Sequence, residues 1–118
     1  MNSNFAWIVD DRLKEIKDLC IEAEQGLSVS PVMCSMASRK ALENAIKWVY
    51  GIDNDLKIPY QETLATLLYD YEFRKILDVN LHPRLVYIQK LGNLAVHAKA
   101  KITRPEALKS LENLHDFM

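Results

Sequence analysis

Ser30-Pro31-Val32-Met33-Cys34-Ser35-Met36-Ala37-Ser38-Arg39-Lys40-Ala41-Leu42-Glu43-Asn44-Ala45-Ile46-Lys47-Trp48-Val49-Tyr50-Gly51 is the stretch on which the fold turns. A serine followed by proline opens a helix: the hydroxyl caps a free backbone N–H, and proline suits the first helical position. The spacing predicts a helix to about Tyr50, ended by Gly51. Met33, Met36, Ala37, Leu42, Ala45, Ile46 and Val49 recur every three or four residues, so they are expected to face inward. This is the longest and most apolar element of the chain, which puts it at the centre of a helical fold.

Working outward, a preceding helix is predicted from about Asp10 to Gln25, with Leu13, Ile16, Cys20, Ala23 and Leu27 as its apolar stripe. Asp10 and Asp11 suit its positive end and Gly26 its C-terminal end. Residues 1–9 form a lead-in whose Phe5, Trp7 and Ile8 are available for packing. On the other side, Asp53, Asn54, Asp55 and Pro59 mark a connection. A helix follows from about Tyr60 to Tyr69, burying Leu64, Leu67 and Leu68, then a short one over Tyr71–Leu77. Asp78, Asn80 and Pro83 mark a turn. Pro83 starts a helix reaching about Ala98, with Leu85, Ile88, Leu91 (or Gly92) and Ala95 inward. Thr103-Arg104-Pro105-Glu106 is a capping box that starts the last helix, with Leu108, Leu111, Leu114 and His115 or Phe117 inward.

Three glycines and four prolines are too few for the turns of an all-β fold. The prediction is an all-α, single compact bundle of five or six helices, one domain over residues 1–118. The ending Asp116-Phe117-Met118, without a glycine cap or polar tail, reads as a cut from a longer protein, of which this is the N-terminal piece.

Net charge of −1 argues against a strongly basic nucleic-acid module. The charge is uneven, however. Arg84, Lys90, Lys99, Lys101 and Arg104 form a run without an acidic residue, and these five are candidate nucleic-acid contacts. Cys20 and Cys34 sit among apolar helical positions, where a free thiol packs as a small hydrophobe. No signal peptide or membrane-length apolar run occurs, so a cytoplasmic protein without a membrane partner is expected. The histidines and cysteines lack metal-ligand spacing, so no metal is expected.

The candidate site lies late in the chain. Gln89, Asn93 and His97 are four residues apart and would stack on one helical face. His97 is the candidate acid/base, with Asn93 orienting it; the alternative is a buried polar network that sets helix register. Gly92, between them, costs a helix about 1 kcal/mol relative to alanine, which points to another helix or a ligand approaching closely. Arg39 and Glu43 share a face of the central helix. Their order is the weaker one for a mutual ion pair, so partners elsewhere are expected. If that face meets the His97 helix, Arg39, Glu43, Asn93 and His97 form one cluster.

Leu91-Gly92-Asn93-Leu94-Ala95-Val96-His97 resembles the glycine–asparagine–histidine motif of HEPN-like helical domains at the N-terminus of type I restriction endonuclease R subunits. Asn2-Ser3-Asn4-Phe5 with Trp7 resembles the start of such subunits, and Ser38-Arg39-Lys40-Ala41-Leu42-Glu43 their arginine–glutamate helix. Thr103 to Glu106 falls where their last helix begins, so the resemblance spans nearly the whole chain. It implies a HEPN-like fold and a non-catalytic docking module. The partners it implies are the remainder of the R subunit, the methyltransferase and specificity subunits and, through the whole complex, DNA. The parent protein would be a site-specific deoxyribonuclease that translocates DNA with ATP and Mg²⁺; the domain itself is expected to hold no cofactor. Homodimerisation is compatible with the resemblance. HEPN ribonucleases carry an arginine near the histidine, where this chain has Gln89 and Gly92. Without that cation a metal-independent endoribonuclease is the alternative rather than the leading expectation. A nucleic-acid-binding helical module is a further alternative.

Overall fold

A computed structural model describes residues 3–52, 63–97 and 101–118. A 3-10 turn over Asp11–Leu13 leads into α1 (Lys14–Gly26). Then follow α2 (Pro31–Ile52), α3 (Leu64–Tyr69), α4 (Tyr71–Ile76), α5 (Leu81–Ala95) and α6 (Arg104–Phe117). No strand occurs among the described residues, so the architecture is an all-α bundle, with α2 at its centre. α2 packs against α1, α5, α6 and α3, while α5 also packs against α6 and α3.

The start of α2 is as its sequence dictates: the Ser30 hydroxyl accepts the Met33 N–H at 3.3 Å, and Pro31 is the first helical residue. Its rotation differs from expectation. Met33 and Met36 are 54% and 41% exposed, and the buried face is Cys34, Ser35, Ser38, Ala41, Leu42, Ala45, Ile46 and Tyr50. Small side chains let three helices approach α2 closely, which turns the bulkier methionines outward. Burying Ser35 is cheap because its hydroxyl donates back to the Pro31 carbonyl at 2.8 Å. Gly51 lies inside α2 and does not end it.

Gly26 is likewise no left-handed cap: no glycine among the described residues has a positive φ. Its carbonyl accepts the Ser30 N–H at 2.8 Å, closing the turn into α2. A Cβ there would lie 3.3 Å from the Cys34 nitrogen, so the close approach of α2 leaves a side chain at this position little room.

α5 begins at Leu81, earlier than Pro83; proline is tolerated there because first-turn N–H groups have no helical partner. It ends at Ala95, short of the expected Ala98, which lies outside the described residues together with the expected connection at 53–59 and the Tyr60 helix start. α3 and α4 bury Leu64, Leu67, Leu68 and Phe73. The Thr103 capping box forms as expected, with Thr103 Oγ1 accepting the Glu106 N–H at 3.3 Å and Glu106 accepting the Thr103 N–H at 2.9 Å. On α6, Leu111 and Leu114 are buried and Phe117 is half-buried, but Leu108 and His115 are exposed; Ala107, Ser110 and Asn113 fill the inner face instead. In the lead-in, Phe5 and Ile8 are buried and Trp7 is exposed.

Cys20 and Cys34 are free and fully buried. Burial pushes the Cys20 thiol up to about 12 and raises the Cys34 thiol as well. A raised folded-state value means these neutral thiols contribute their full stability below the ordinary value of 9.0 and lose it as pH rises toward about 12. Thiol reagents are therefore expected to leave the native protein unlabelled below pH 9 and to label both cysteines in urea. The urea midpoint is expected to fall as the buffer is taken from pH 9 towards about 11. Rapid native labelling at neutral pH would contradict this burial.

Candidate functional site

The site residues converge where α2 crosses α5. Arg39 lies along α5 at Gly92. A Cβ on Gly92 would fall 2.7 Å from Arg39 Cδ and 2.9 Å from its Cγ, and closer still to its Cβ. The expectation that Gly92 admits a second helix is met, and the group that fills the space is the arginine stem. Beyond it, Arg39 Nη1 donates to Asn93 Oδ1 at 3.1 Å. Arg39 Nε is buried and has no hydrogen-bond partner among the described residues.

The other candidates divide. Gln89 turns into the core at 8% exposure, Asn93 is exposed beside Arg39, and His97 is exposed beyond the end of α5. Gln89 and Asn93 both lie within α5, four residues apart, one buried and the other exposed; His97 does not continue their series, because α5 ends at Ala95 and the His97 N–H closes a turn on the Leu94 carbonyl at 3.1 Å. Glu43 pairs with Lys47 at 3.6 Å rather than with Arg39. Of the expected cluster of Arg39, Glu43, Asn93 and His97, the hydrogen bond the described residues make is the one from Arg39 to Asn93.

Arg84 and Lys90 of the basic run do not share a face of α5. Arg84 pairs with Asp116 at 2.7 Å. Lys90 is exposed but six residues further along α5, which turns it about 120° away from Arg84. Lys101 and Arg104 are exposed, and Lys99 lies outside the described residues. Tyr87 is occupied structurally: its hydroxyl donates to the Glu106 carbonyl at 3.2 Å, and Lys109 Nζ sits 5.0 Å from its ring centre. Among the described residues no three His, Cys, Asp or Glu side chains come together as a metal-holding group.

A feature the sequence reading missed adjoins the Arg39 crossing. Met33, Met36, Arg39 and Lys40 of α2, with Glu22 of α1 and Val96, line an open cleft of about 500 Å³. Met33, Met36 and Val96 expose 54%, 41% and 55% of their surface. Met33 and Met36 have the spacing of helical core, so periodicity alone does not separate them from the small residues one position away; the rotation of α2 is set by how closely its neighbours approach.

Fold and site together define a small all-α domain whose motif residues join two crossing helices. The chain belongs to the family described as "Domain of unknown function (DUF4145)", whose model matches residues 21–118. The match begins within α1, so the lead-in and the 3-10 turn precede it. Comparison with curated proteins and with solved structures finds no match in either.

Proposed function

We propose that this domain is a non-catalytic docking module, acting as the N-terminal module of a type I restriction enzyme R subunit. One observation carries the docking part: the polar motif is spent on the helix crossing. Arg39 covers Gly92 and holds Asn93 at 3.1 Å, while His97 stands apart, so no acid/base pair is assembled among the described residues. The exposed Met33, Met36 and Val96 beside that crossing are the docking surface in this reading. Methionines suit such a role because their flexible thioethers adapt to a partner. The restriction-subunit part rests on the motif order in the sequence. The partners are then the rest of the R subunit and the methyltransferase–specificity complex, in the cytoplasm, where the two unpaired cysteines stay reduced. No helix among the described residues is long and apolar enough to cross a membrane.

Calorimetric titration of the chain against the methyltransferase–specificity complex of the same genome, and separately against the motor portion of the R subunit, tests this. Binding to either that is abolished by Met36→Glu supports the proposal. Absence of binding to both overturns it.

A second reading has one observation in its favour. Arg39 brings a cation to the motif from another helix, as an endoribonuclease would need near His97. Cleavage of labelled RNA that disappears in both His97→Ala and Arg39→Gln would establish that reading instead. Salt-sensitive RNA binding without cleavage, weakened by Lys101→Glu, would identify a nucleic-acid module.

A further inference from the structure

A second cleft lies between α4, the turn that follows it and the first turn of α5, and shares no lining residue with the methionine cleft. It is open and has a volume of about 570 Å³. Its walls present apolar surface to solvent: Tyr71 is 71% exposed and Val79 84%, with the partly buried Leu77 and the exposed Pro83 beside them. The packing of α4 does not need this surface, because Phe73 is the residue it buries. Exposed apolar side chains that gather on one cleft mark an interaction site, whereas single ones scattered over a surface do not.

Both walls are fixed in place. Asp70 caps α4 by accepting the Glu72 and Phe73 N–H groups at 3.0 and 3.3 Å. Opposite, His82 Nε2 meets the Leu68 carbonyl at 3.0 Å and its ring stands edge-on to Tyr69 at 5.4 Å, which ties the start of α5 to α3. The charges around the cleft are unequally committed. Asp78 accepts the Asn80 N–H at 2.8 Å. Lys75 pairs with Glu72 at 3.7 Å and lies 4.7 Å from the Tyr71 ring centre. Arg74 makes no ion pair or side-chain hydrogen bond among the described residues, so the uncommitted charge beside the apolar walls is a guanidinium.

We infer that this cleft docks an acidic, apolar segment of a partner polypeptide. The occupant follows from apolar surface and charge together. Tyr71, Leu77 and Val79 lose water when an apolar side chain covers them, which supplies the drive. A carboxylate next to that side chain reaches Arg74, whose planar fork of donors matches it in a charge-assisted pair and has no other partner to give up. Lys75 on the same cleft excludes a basic segment by like charge. A nucleic-acid backbone is the poorer fit. Its affinity comes from many phosphates on an unopposed basic surface, and here Asp78 lines the cleft and Glu72 already neutralises Lys75. The docking surface of the proposed function is the methionine cleft, so this is a separate contact and does not rest on that reading.

The test is a calorimetric titration of the full chain with an end-capped peptide carrying a leucine and a phenylalanine flanked by glutamates, beside its counterpart with lysine for glutamate and a single-stranded oligonucleotide. The glutamate peptide is expected to bind and the other two not. Arg74→Glu is expected to weaken binding about tenfold, the effect of about 1.4 kcal/mol, and Arg74→Gln to weaken it less. Val79→Ser, which removes apolar surface and leaves the charge alone, is expected to weaken it about fivefold. Met36→Glu, on the other cleft, is expected to leave binding unchanged. All three positions are exposed, and unchanged thermal unfolding confirms that the variants fold. No binding of the glutamate peptide, equal binding of both peptides, or indifference to Arg74→Glu or to Val79→Ser overturns the inference. So does oligonucleotide binding that Arg74→Glu abolishes, or self-association that it abolishes, since nucleic acid or a second copy would then be the occupant. Failure here leaves the methionine-cleft proposal standing, because that one is read through Met36.

Discussion

Gly92→Leu is expected to lower stability by about 2–3 kcal/mol, a large part of the roughly 5–15 kcal/mol that holds a typical domain folded. The new side chain has no space, because the Arg39 stem already lies within 3 Å of the position its Cβ must take. Either α5 moves off α2 or Arg39 leaves the crossing, and the second route also gives up the bond to Asn93. Leucine's better helix propensity returns only about 1 kcal/mol. Urea unfolding followed by circular dichroism reads the effect as a lower midpoint. Gly92→Ala should show a smaller loss, for the clash is then set against the same propensity gain. The atom closest to the added carbon is the Arg39 Cβ, which Arg39→Ala retains. That substitution is therefore expected not to rescue Gly92→Ala. An unchanged midpoint for Gly92→Leu would mean that the two helices do not meet there.

Phe73→Ala is the second large effect, with an expected cost of about 3–5 kcal/mol. Phe73 is fully buried and stacks on Tyr50 with ring centres 5.5 Å apart and planes 21° from parallel. The Tyr50 hydroxyl donates to the Leu67 carbonyl at 2.8 Å. These contacts seat α3 and α4 on the end of α2, and helices of six residues have little stability of their own. Hydrogen exchange is expected to show lost protection first in α3 and α4, with the α2 and α5 amides still slow at low denaturant. Tyr50→Phe removes the hydrogen bond and keeps the stack, so about 1 kcal/mol is expected. Full protection of α3 and α4 in Phe73→Ala would show that something other than this stack holds them.

Helix identity was legible because its signals are local. Ser30-Pro31, the Thr103–Glu106 box and the leucines of α3 act within one turn of backbone, and each behaves as its chemistry requires. The close approach at Gly92 was legible too, since a glycine inside a helix has few other reasons to be there. The rotation of α2 was not legible. Met33 and Cys34 are adjacent, both apolar, and each continues into a helical series; which one faces in depends on how near α1, α5 and α6 come. The site was half legible. Arg39 and Asn93 meet as the motif suggested, but placing His97 with them assumed that α5 runs on past Ala95. The docking of the lead-in on α6 was out of reach, since Asn4 meets His115 across 111 positions of sequence.

The crossing of α2 and α5 also bears on the order in which the chain assembles. α1 with α2, and α5 with α6, are neighbours in sequence and in space, so each pair closes only a short loop. Bringing the two pairs together is the distant step, with Arg39 and Asn93 separated by 54 positions. Loop-closure entropy makes such a step the slow one in a helical protein that is otherwise locally connected. A residue with no side chain at the meeting point therefore acts on speed as well as on stability. Crowding position 92 should slow refolding, while loosening Phe73 at the periphery should mainly hasten unfolding.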